Sequence, residues 1–326
     1  MHYDVFNGDA DGIIALLQLR FNEPKASNLV TGVKRDIKLL SQLKNVTDVA
    51  SVTVLDISME KNQSDLAGLL EQQCAVFYCD HHRSGDISES EYLEALIDTS
   101  PETCTSLLIN EKLGGKYIAW AIAAAFGDNL KSVARELAEQ HGYDDEQIAF
   151  LEELGTLINY NAYGSSLADL HISPVDLYRE LYRYPDPFEL VNCKDSVFFK
   201  LRDTYKLDYN LVSDLSPVYQ DSGVRVFELP CEPWARRISG VFGNECANEY
   251  PKLAHAVLTK NSEGNAEGES YTVSVRAPLE NRIGADEICI KFATGGGRKA
   301  AAGINVLKAQ DKVRFIEILA SFYQVF

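Results

Sequence analysis

Tyr3-Asp4-Val5-Phe6-Asn7-Gly8-Asp9-Ala10-Asp11-Gly12 is the stretch on which the reading of this chain turns. Tyr3–Phe6 is a run of β-compatible residues, and Gly12–Phe21 carries apolar residues at helical spacing. Between them a glycine-flanked turn puts two carboxylates where a strand hands over to a helix. The alternation continues outward. Asn28–Gly32 reads as a weak strand, Asp36–Leu43 as a helix, Ser51–Ile57 as a β-rich strand and Gln63–Gln73 as a helix. Ala75–Cys79 is a further strand, Glu94–Asp98 a short one, and Glu102–Lys112 a helix. Strands alternating with helices predict an α/β fold with a mostly parallel sheet covered on both faces.

From Tyr117 to about Leu215 the pattern is almost wholly helical, with periodic segments at Tyr117–Phe126, Leu130–Gln140, Asp145–Ile158 and Pro174–Tyr184. Strands then return at Val224–Phe227, Ala254–Thr259 and Tyr271–Arg276, with helices expected at Trp234–Phe242, Asp286–Thr294 and Lys308–Tyr323. The polar stretch Asp208–Ser222, which contains Ser216-Pro217, is read as a linker. It divides a domain over 1–207 from a smaller α/β domain over 223–326. Asn261–Glu269 is read as the polar tip of a hairpin.

The chain has 326 residues, 46% hydrophobic and 24% charged, the balance of a globular protein. No apolar run approaches the roughly 18 residues of a membrane helix, and Met1-His2-Tyr3-Asp4 shows no signal-peptide pattern. Seven scattered cysteines without a Cys-x-x-Cys pair read as reduced thiols, so a cytoplasmic protein is expected. Lys and Arg number 31 against 48 Asp and Glu, a net charge of −17. Residues 216–326 carry 13 basic and 13 acidic residues, so the whole imbalance lies in residues 1–215. Such a surface argues against tight binding of long duplex nucleic acid, which needs many Lys and Arg contacts to phosphate.

Functional groups of a parallel α/β sheet gather at the carboxyl ends of its strands. Here three strands run into Asp9-Ala10-Asp11, Asp56 and Asp80-His81-His82, and a helix ends in Gly127-Asp128. Taken singly, each has an ordinary explanation: a turn, a surface His pair, a helix cap for Asp128. Taken together, they put several carboxylates and two imidazoles in one crevice, where they repel unless cations lie between them. Oxygen donors with imidazole suit Mn²⁺ or Mg²⁺ and tilt the choice to Mn²⁺.

These residues resemble the DHH phosphoesterases, the superfamily of the exonuclease RecJ, nanoRNases and cyclic-dinucleotide phosphodiesterases. Asp9-Ala10-Asp11-Gly12, Asp56, Asp80-His81-His82 and Asp128 are similar to its four motifs in order. Asn161-Ala162-Tyr163-Gly164 is similar to a following Asn-Ala-x-Gly segment, and Gly295-Gly296-Gly297-Arg298-Lys299-Ala300-Ala301-Ala302-Gly303 to the glycine motif of the accompanying DHHA1 domain. The resemblance implies a two-metal centre with Asp9 and Asp128 on one ion, Asp11 and His81 on the other, and Asp56 bridging. It implies that His82 contacts phosphate or supports the metal ligands from behind, and that Asp80 orients His81. Two positions depart from the pattern: Val5 stands where nanoRNase-like members carry His, and Arg298 where the glycine motif carries His.

Gly295, Gly296 and Gly297, followed by an expected short helix, read as a phosphate cradle, with Arg298 and Lys299 as charged contacts, and Arg276 resembles the substrate arginine of DHHA1 domains. Asn161 joins this substrate-binding set through the resemblance. Arg236 and Arg237 read as solvated helix residues in preference to phosphate contacts, and Tyr160 and Tyr163 as core or surface residues in preference to base-stacking ones. The expected activity is hydrolysis of short linear 5′-phosphorylated oligonucleotides, dinucleotides such as pGpG, to nucleoside monophosphates by a water activated between two metals. The alternatives are a cyclic-dinucleotide phosphodiesterase, a RecJ-like single-strand exonuclease, a 3′-phosphoadenosine 5′-phosphate phosphatase and a non-catalytic nucleotide-binding module. The expected partner is the short oligonucleotide alone, without a membrane, and the expected state is a monomer or homodimer.

Overall fold

The structure, a computed structural model, describes residues 1–261 and 268–324. The chain forms two compact units, Met1–Thr204 and Tyr205–Phe326. The first unit opens with β1 (His2–Phe6), α1 (Ala10–Asn22), β2 (Asn28–Val30), β3 (Ser51–Leu55), α2 (Met59–Glu71), β4 (Ala75–Asp80) and β5 (Leu93–Ile97). A helical run follows: α3 (Thr105–Lys112), α4 (Ile118–Gly127), α5 (Lys131–Gln140), α6 (Asp145–Ala162), α7 (Pro174–Leu181) and, continuing into the second unit, α8 (Val197–Tyr209). The segment expected as a helix over Asp36–Leu43 holds only a 3₁₀ turn, Leu39–Leu43.

The five strands are all parallel, in the order β2-β1-β3-β4-β5. Two features of this sheet position the site. First, the chain leaves β1 towards β2 on one side and returns to β3 on the other, so a topological switch point lies between β1 and β3. Second, Phe6 pairs in register with Leu55, and Leu55 with Cys79, so three strands end flush. One face of the sheet packs Val5, Val52, Val54, Val76 and Tyr78 against Leu66, Leu69 and Leu70 of α2 and Leu39, Leu40 and Leu43 of the 3₁₀ turn. The other face carries α1 and α3. Both faces are thus covered, as continuous apolar strands of a parallel sheet require.

The second unit contains β6 (Tyr219–Gln220), β7 (Val224–Leu229), α9 (Pro233–Glu249), β8 (Ala254–Lys260), β9 (Ser270–Arg276), α10 (Ala285–Cys289), β10 (Gly295–Gly297), β11 (Ala301–Lys308) and α11 (Lys312–Tyr323). Its sheet runs β10-β11-β9-β8-β7-β6. β7 and β8 are parallel, with α9 as their crossover, and the other pairs are antiparallel. Residues 208–222 hold the end of α8 and the short β6. β8 and β9 pair as a hairpin; of its expected tip, residues 262–267 lie outside the described residues.

Three expectations for this unit are corrected. The helix expected at Asp286–Thr294 ends at Cys289, and the one expected from Lys308 begins at Lys312, because β11 runs through Lys308. The glycine run precedes no helix: Gly295–Gly297 is strand β10, and Arg298 and Ala301 close a tight turn by exchanging backbone hydrogen bonds of 2.8 and 3.2 Å. Gly297 has φ 145°, and a Cβ there would lie 2.5 Å from the Cα of Ala302. The glycines therefore serve a close strand pairing, which period-based reading does not distinguish from a loop.

Candidate metal centre

Asp9, Asp11, Asp56, His81, His82 and Asp128 come from four places in the chain and meet at the carboxyl end of the first sheet. Asp9 is the N-cap of α1, where its Oδ1 accepts from the Gly12 N–H at 3.1 Å. A carboxylate suits this position because helix N-termini leave N–H donors unpaired. Asp11, in the first turn, reaches across to a second helix start. Its Oδ2 and Oδ1 accept from the backbone N–H of Thr105 and Ser106, both at 2.7 Å. Asp56 follows β3 on the other side of the switch point, with φ 57°. That left-handed backbone is uncommon for a residue with a side chain and belongs to sites where the surrounding structure holds it. Here the Asp56 N–H donates to the Cys79 carbonyl at 3.0 Å.

His81 organises the centre. Its Nδ1 lies 3.0 Å from the carbonyl oxygen of Thr103. A carbonyl only accepts, so Nδ1 is the donor here and Nε2 is the ring atom turned towards the carboxylates. Around that Nε2 lie Asp56 Oδ1 at 3.4 Å, Asp11 Oδ2 at 3.8 Å and Asp128 Oδ2 at 3.8 Å. Asp128 is the C-cap of α4 and caps no following helix, since α5 begins after Leu130. Asp56, His81 and His82 also bring ligand atoms within 4.8 Å of one another.

The assignment of Asp80 is corrected. Its carboxylate accepts from His82 Nδ1 at 2.7 Å, while the ring of His81 is oriented by Thr103. His82 is partly exposed and meets the His81 ring edge-on, with centroids 4.5 Å apart.

The electrostatics are those of an incompletely neutralised site. Burial, then the charges of Asp9, Asp11, Asp80 and Asp128, push the Asp56 carboxyl well above the ordinary carboxylate range. Burial also acts to raise Asp80, but the adjoining His82 outweighs it and holds Asp80 below its usual value. Asp9 is likewise lowered against its burial, by a residue absent from the sequence reading. Lys34, in the loop after β2, places its ammonium on Asp9 Oδ2, 3.0 Å from Asn159 Oδ1 and 4.0 Å from Asp128 Oδ1. Gly8 permits this approach: a Cβ there would lie 2.0 Å from the Gly32 carbonyl oxygen, so only glycine lets the Lys34 loop close on the Asp9 turn. No local pattern marks Lys34 or Asn159. Lys34 lies in a polar loop, and Asn159 is one of a helix's many polar positions.

The donor set fits a divalent cation. Three carboxylates lie within 3.8 Å of one imidazole nitrogen, the histidine is held from behind by a carbonyl, and a buried acid among them is pushed towards its neutral form.

Other expected site residues fall elsewhere. Asn161 is fully buried, and both ends of its side chain bond the backbone of Ile172, at 2.8 and 3.2 Å. Its hydrogen-bonding capacity is used within the fold. Tyr160 is buried, with its hydroxyl 2.8 Å from His171 Nε2. In the second unit, Arg276 ends β9 with its Nε bonded to Asn244 Oδ1 at 2.5 Å and Nη1 to Ser274 Oγ at 2.8 Å. Arg298 and Lys299 are exposed on the β10–β11 turn. Arg237, read from sequence as solvated, is buried and bidentate to Asp208, at 2.8 and 3.1 Å. All seven cysteines are free thiols. Among the described residues no helix is long and apolar enough to cross a membrane.

No protein-family model matches the chain, and no curated protein matches it by sequence. Solved structures do. The chain is similar to exonuclease RecJ bound to manganese, with TM-score 0.60 and 16% identity over 100% of this chain and 90% of that one. It is similar to the pGpG-specific phosphodiesterase PggH of Vibrio cholerae, with TM-score 0.54 and 13% identity over 99% of each chain. RecJ of Thermus thermophilus in complex with Mn²⁺ matches at TM-score 0.54 and 14% identity, over 100% of this chain and 52% of that one. With a five-stranded parallel unit followed by a mixed-sheet unit, and with these likenesses spanning its whole length, the chain has the fold of the DHH phosphoesterases.

Proposed function

We propose that this protein is a divalent-metal-dependent phosphodiesterase that hydrolyses short linear 5′-phosphorylated oligonucleotides, dinucleotides such as pGpG among them, to nucleoside monophosphates. The observation that carries the reading is the convergence of Asp11, Asp56 and Asp128 on Nε2 of His81. Mn²⁺ is the ion this mixed oxygen and imidazole set favours. Bound there, such an ion supplies Lewis-acid polarisation of a phosphoryl oxygen and a more acidic water. Asp11, Asp56, Asp128 and His81 would hold it, with Asp9 beside them. Thr103 keeps His81 in the tautomer that can bind. Asp80 fixes His82 by its Nδ1, which leaves Nε2 as the ring atom that meets a phosphoryl oxygen.

Two features support a short substrate. The acidity of residues 1–215 opposes the many phosphate contacts of a long strand. The likeness to the pGpG-specific phosphodiesterase PggH extends over 99% of that chain. In the second unit, Arg276, the backbone of Gly295, Gly296 and Gly297, and exposed Arg298 and Lys299 are the groups we assign to the phosphorylated end.

The test is turnover in Mn²⁺ against pGpG, other 5′-phosphorylated dinucleotides, long single-stranded RNA and DNA, cyclic-di-GMP and 3′-phosphoadenosine 5′-phosphate, with Asp56→Ala as control. Conversion of dinucleotides alone, lost in Asp56→Ala, is the expected result. Processive loss of the long strands would move the assignment to an exonuclease. Absence of turnover on every substrate would leave a binding module.

A further inference from the structure

The fold resemblance implies two ions, one of them on Asp9 and Asp128. The geometry points to a different arrangement: we propose that Lys34 takes the place of that ion, so that the centre binds a single divalent cation at Asp11, Asp56, His81 and Asp128. The inference rests on the metal reading above and deepens it.

The Lys34 ammonium is bonded to Asp9 Oδ2 and stands 4.0 Å from Asp128 Oδ1, between the two carboxylates a first ion would need. It is a built position, not a surface lysine swung inward. The Lys34 N–H donates to the Ala162 carbonyl at 3.0 Å, and its own carbonyl accepts from Asn7 Nδ2 at 3.3 Å. Its ammonium is also held by Asn159 Oδ1 at 3.0 Å and lies 5.5 Å from the centre of the Tyr163 ring. Backbone and side chain are therefore tied on four sides, and the side chain is 23% exposed. Two cations cannot share these oxygens without strong repulsion at contact distance. Val5, at the position where nanoRNase-like chains carry His, is fully buried in the sheet core and offers no donor to a second ion. The set remaining around His81 Nε2 does not depend on Asp9, so the site can keep one ion and lose the other.

The experiment is Mn²⁺ titration of the purified full-length chain by calorimetry, with and without GMP, together with the electron paramagnetic resonance spectrum of the loaded protein. Wild type is expected to bind one Mn²⁺ per chain, with the spectrum of an isolated ion. Lys34→Met is expected to bind a second equivalent and show the spectrum of a coupled pair, and Lys34→Arg to keep one. Two equivalents in wild type overturn the inference while leaving the metal reading intact. Lys34→Met with a single equivalent also overturns it, because Asp9 and Asp128 then form no second site even when uncovered. No Mn²⁺ bound by wild type overturns the metal reading and the inference with it. The wild-type stoichiometry decides the matter even if a variant fails to fold.

Discussion

Nε2 of His81 lies 3.4 Å from Oδ1 of Asp56, although the two residues end different strands and are separated by a helix. Flush strand ends make this contact, and it places the imidazole of His81 against an acid that resists ionisation. Asp56→Asn is the informative change, because Asn tolerates the left-handed backbone at this position. Turnover should fall by at least about 1,000-fold, of the order seen when a group that stabilises transition-state charge is removed. Stability should move the other way. A carboxyl raised in the folded state is stabilising at low pH and loses that contribution as pH rises through its folded value. At neutral pH the metal-free wild type therefore carries a penalty that Asn removes, and metal-free Asp56→Asn should be more stable by about 1 kcal/mol in urea unfolding. A metal-free variant less stable than metal-free wild type would contradict this account.

Asp80 acts through His82. Asp80→Asn keeps the shape but replaces a lowered carboxylate by a neutral amide, so the His82 ring loses the charged acceptor that fixes its tautomer and keeps at best the weaker amide oxygen. Partners that orient a site histidine from behind are worth about 10- to 100-fold in activity. The Mn²⁺ stoichiometry should stay unchanged, while the pH–rate profile of the variant shifts. A loss of Mn²⁺ binding in Asp80→Asn would instead place Asp80 among the groups that support the ion.

His255 supplies a pH dependence within the second unit. It is fully buried on β8, paired in the sheet with Arg225 on β7 and Arg276 on β9, and 6.4 Å from the Tyr250 ring. Burial, then the Arg225 cation, bring its imidazole down to about 4. A depressed folded value means that the unfolded chain takes up the proton first. The contribution is fully present above about pH 6.5 and is lost as pH falls towards 4. It amounts to about 3 kcal/mol. Urea unfolding at pH 7 and pH 5 should show wild type losing more stability than His255→Phe over that interval. Equal losses would assign the pH dependence to other groups.

Arg237 is held by Asp208, and its loss should be felt in folding. Arg237→Met removes the guanidinium bonded to a buried carboxylate, a change of about 3–5 kcal/mol. Asp208→Leu added to it should recover part of that loss. KM for the dinucleotide should stay near wild type in whatever fraction remains folded. A raised KM with unchanged stability would return Arg237 to the substrate.

The order of elements in the first unit was legible because strand and helix periods differ and each carboxylate pair sits at a change of period. Asp9, Asp11, Asp56, His81 and His82 could be named for the same reason, since strand ends are visible in a sequence, and Asp128 because it ends a helical period. The short second-unit elements were less so. Gly295–Gly297 looks like a loop because glycine has no side chain to show a period, and only its pairing with Ala302–Ile304 makes it a strand.

What one chain position owes to a distant one is invisible to local reading. Parallel pairing in the order β2-β1-β3 is set by packing of both sheet faces, and it alone brings the loop after β2 against the turn after β1. That contact puts Lys34 on Asp9, and other contacts made only in the folded chain tie His82 rather than His81 to Asp80 and use Asn161 on Ile172. The sequence by itself determined which elements form and which acids stand at their ends, because those follow from side-chain period and turn chemistry. The tertiary structure decided which charges meet, because neutralisation of a buried carboxylate depends on distances that only the folded sheet defines.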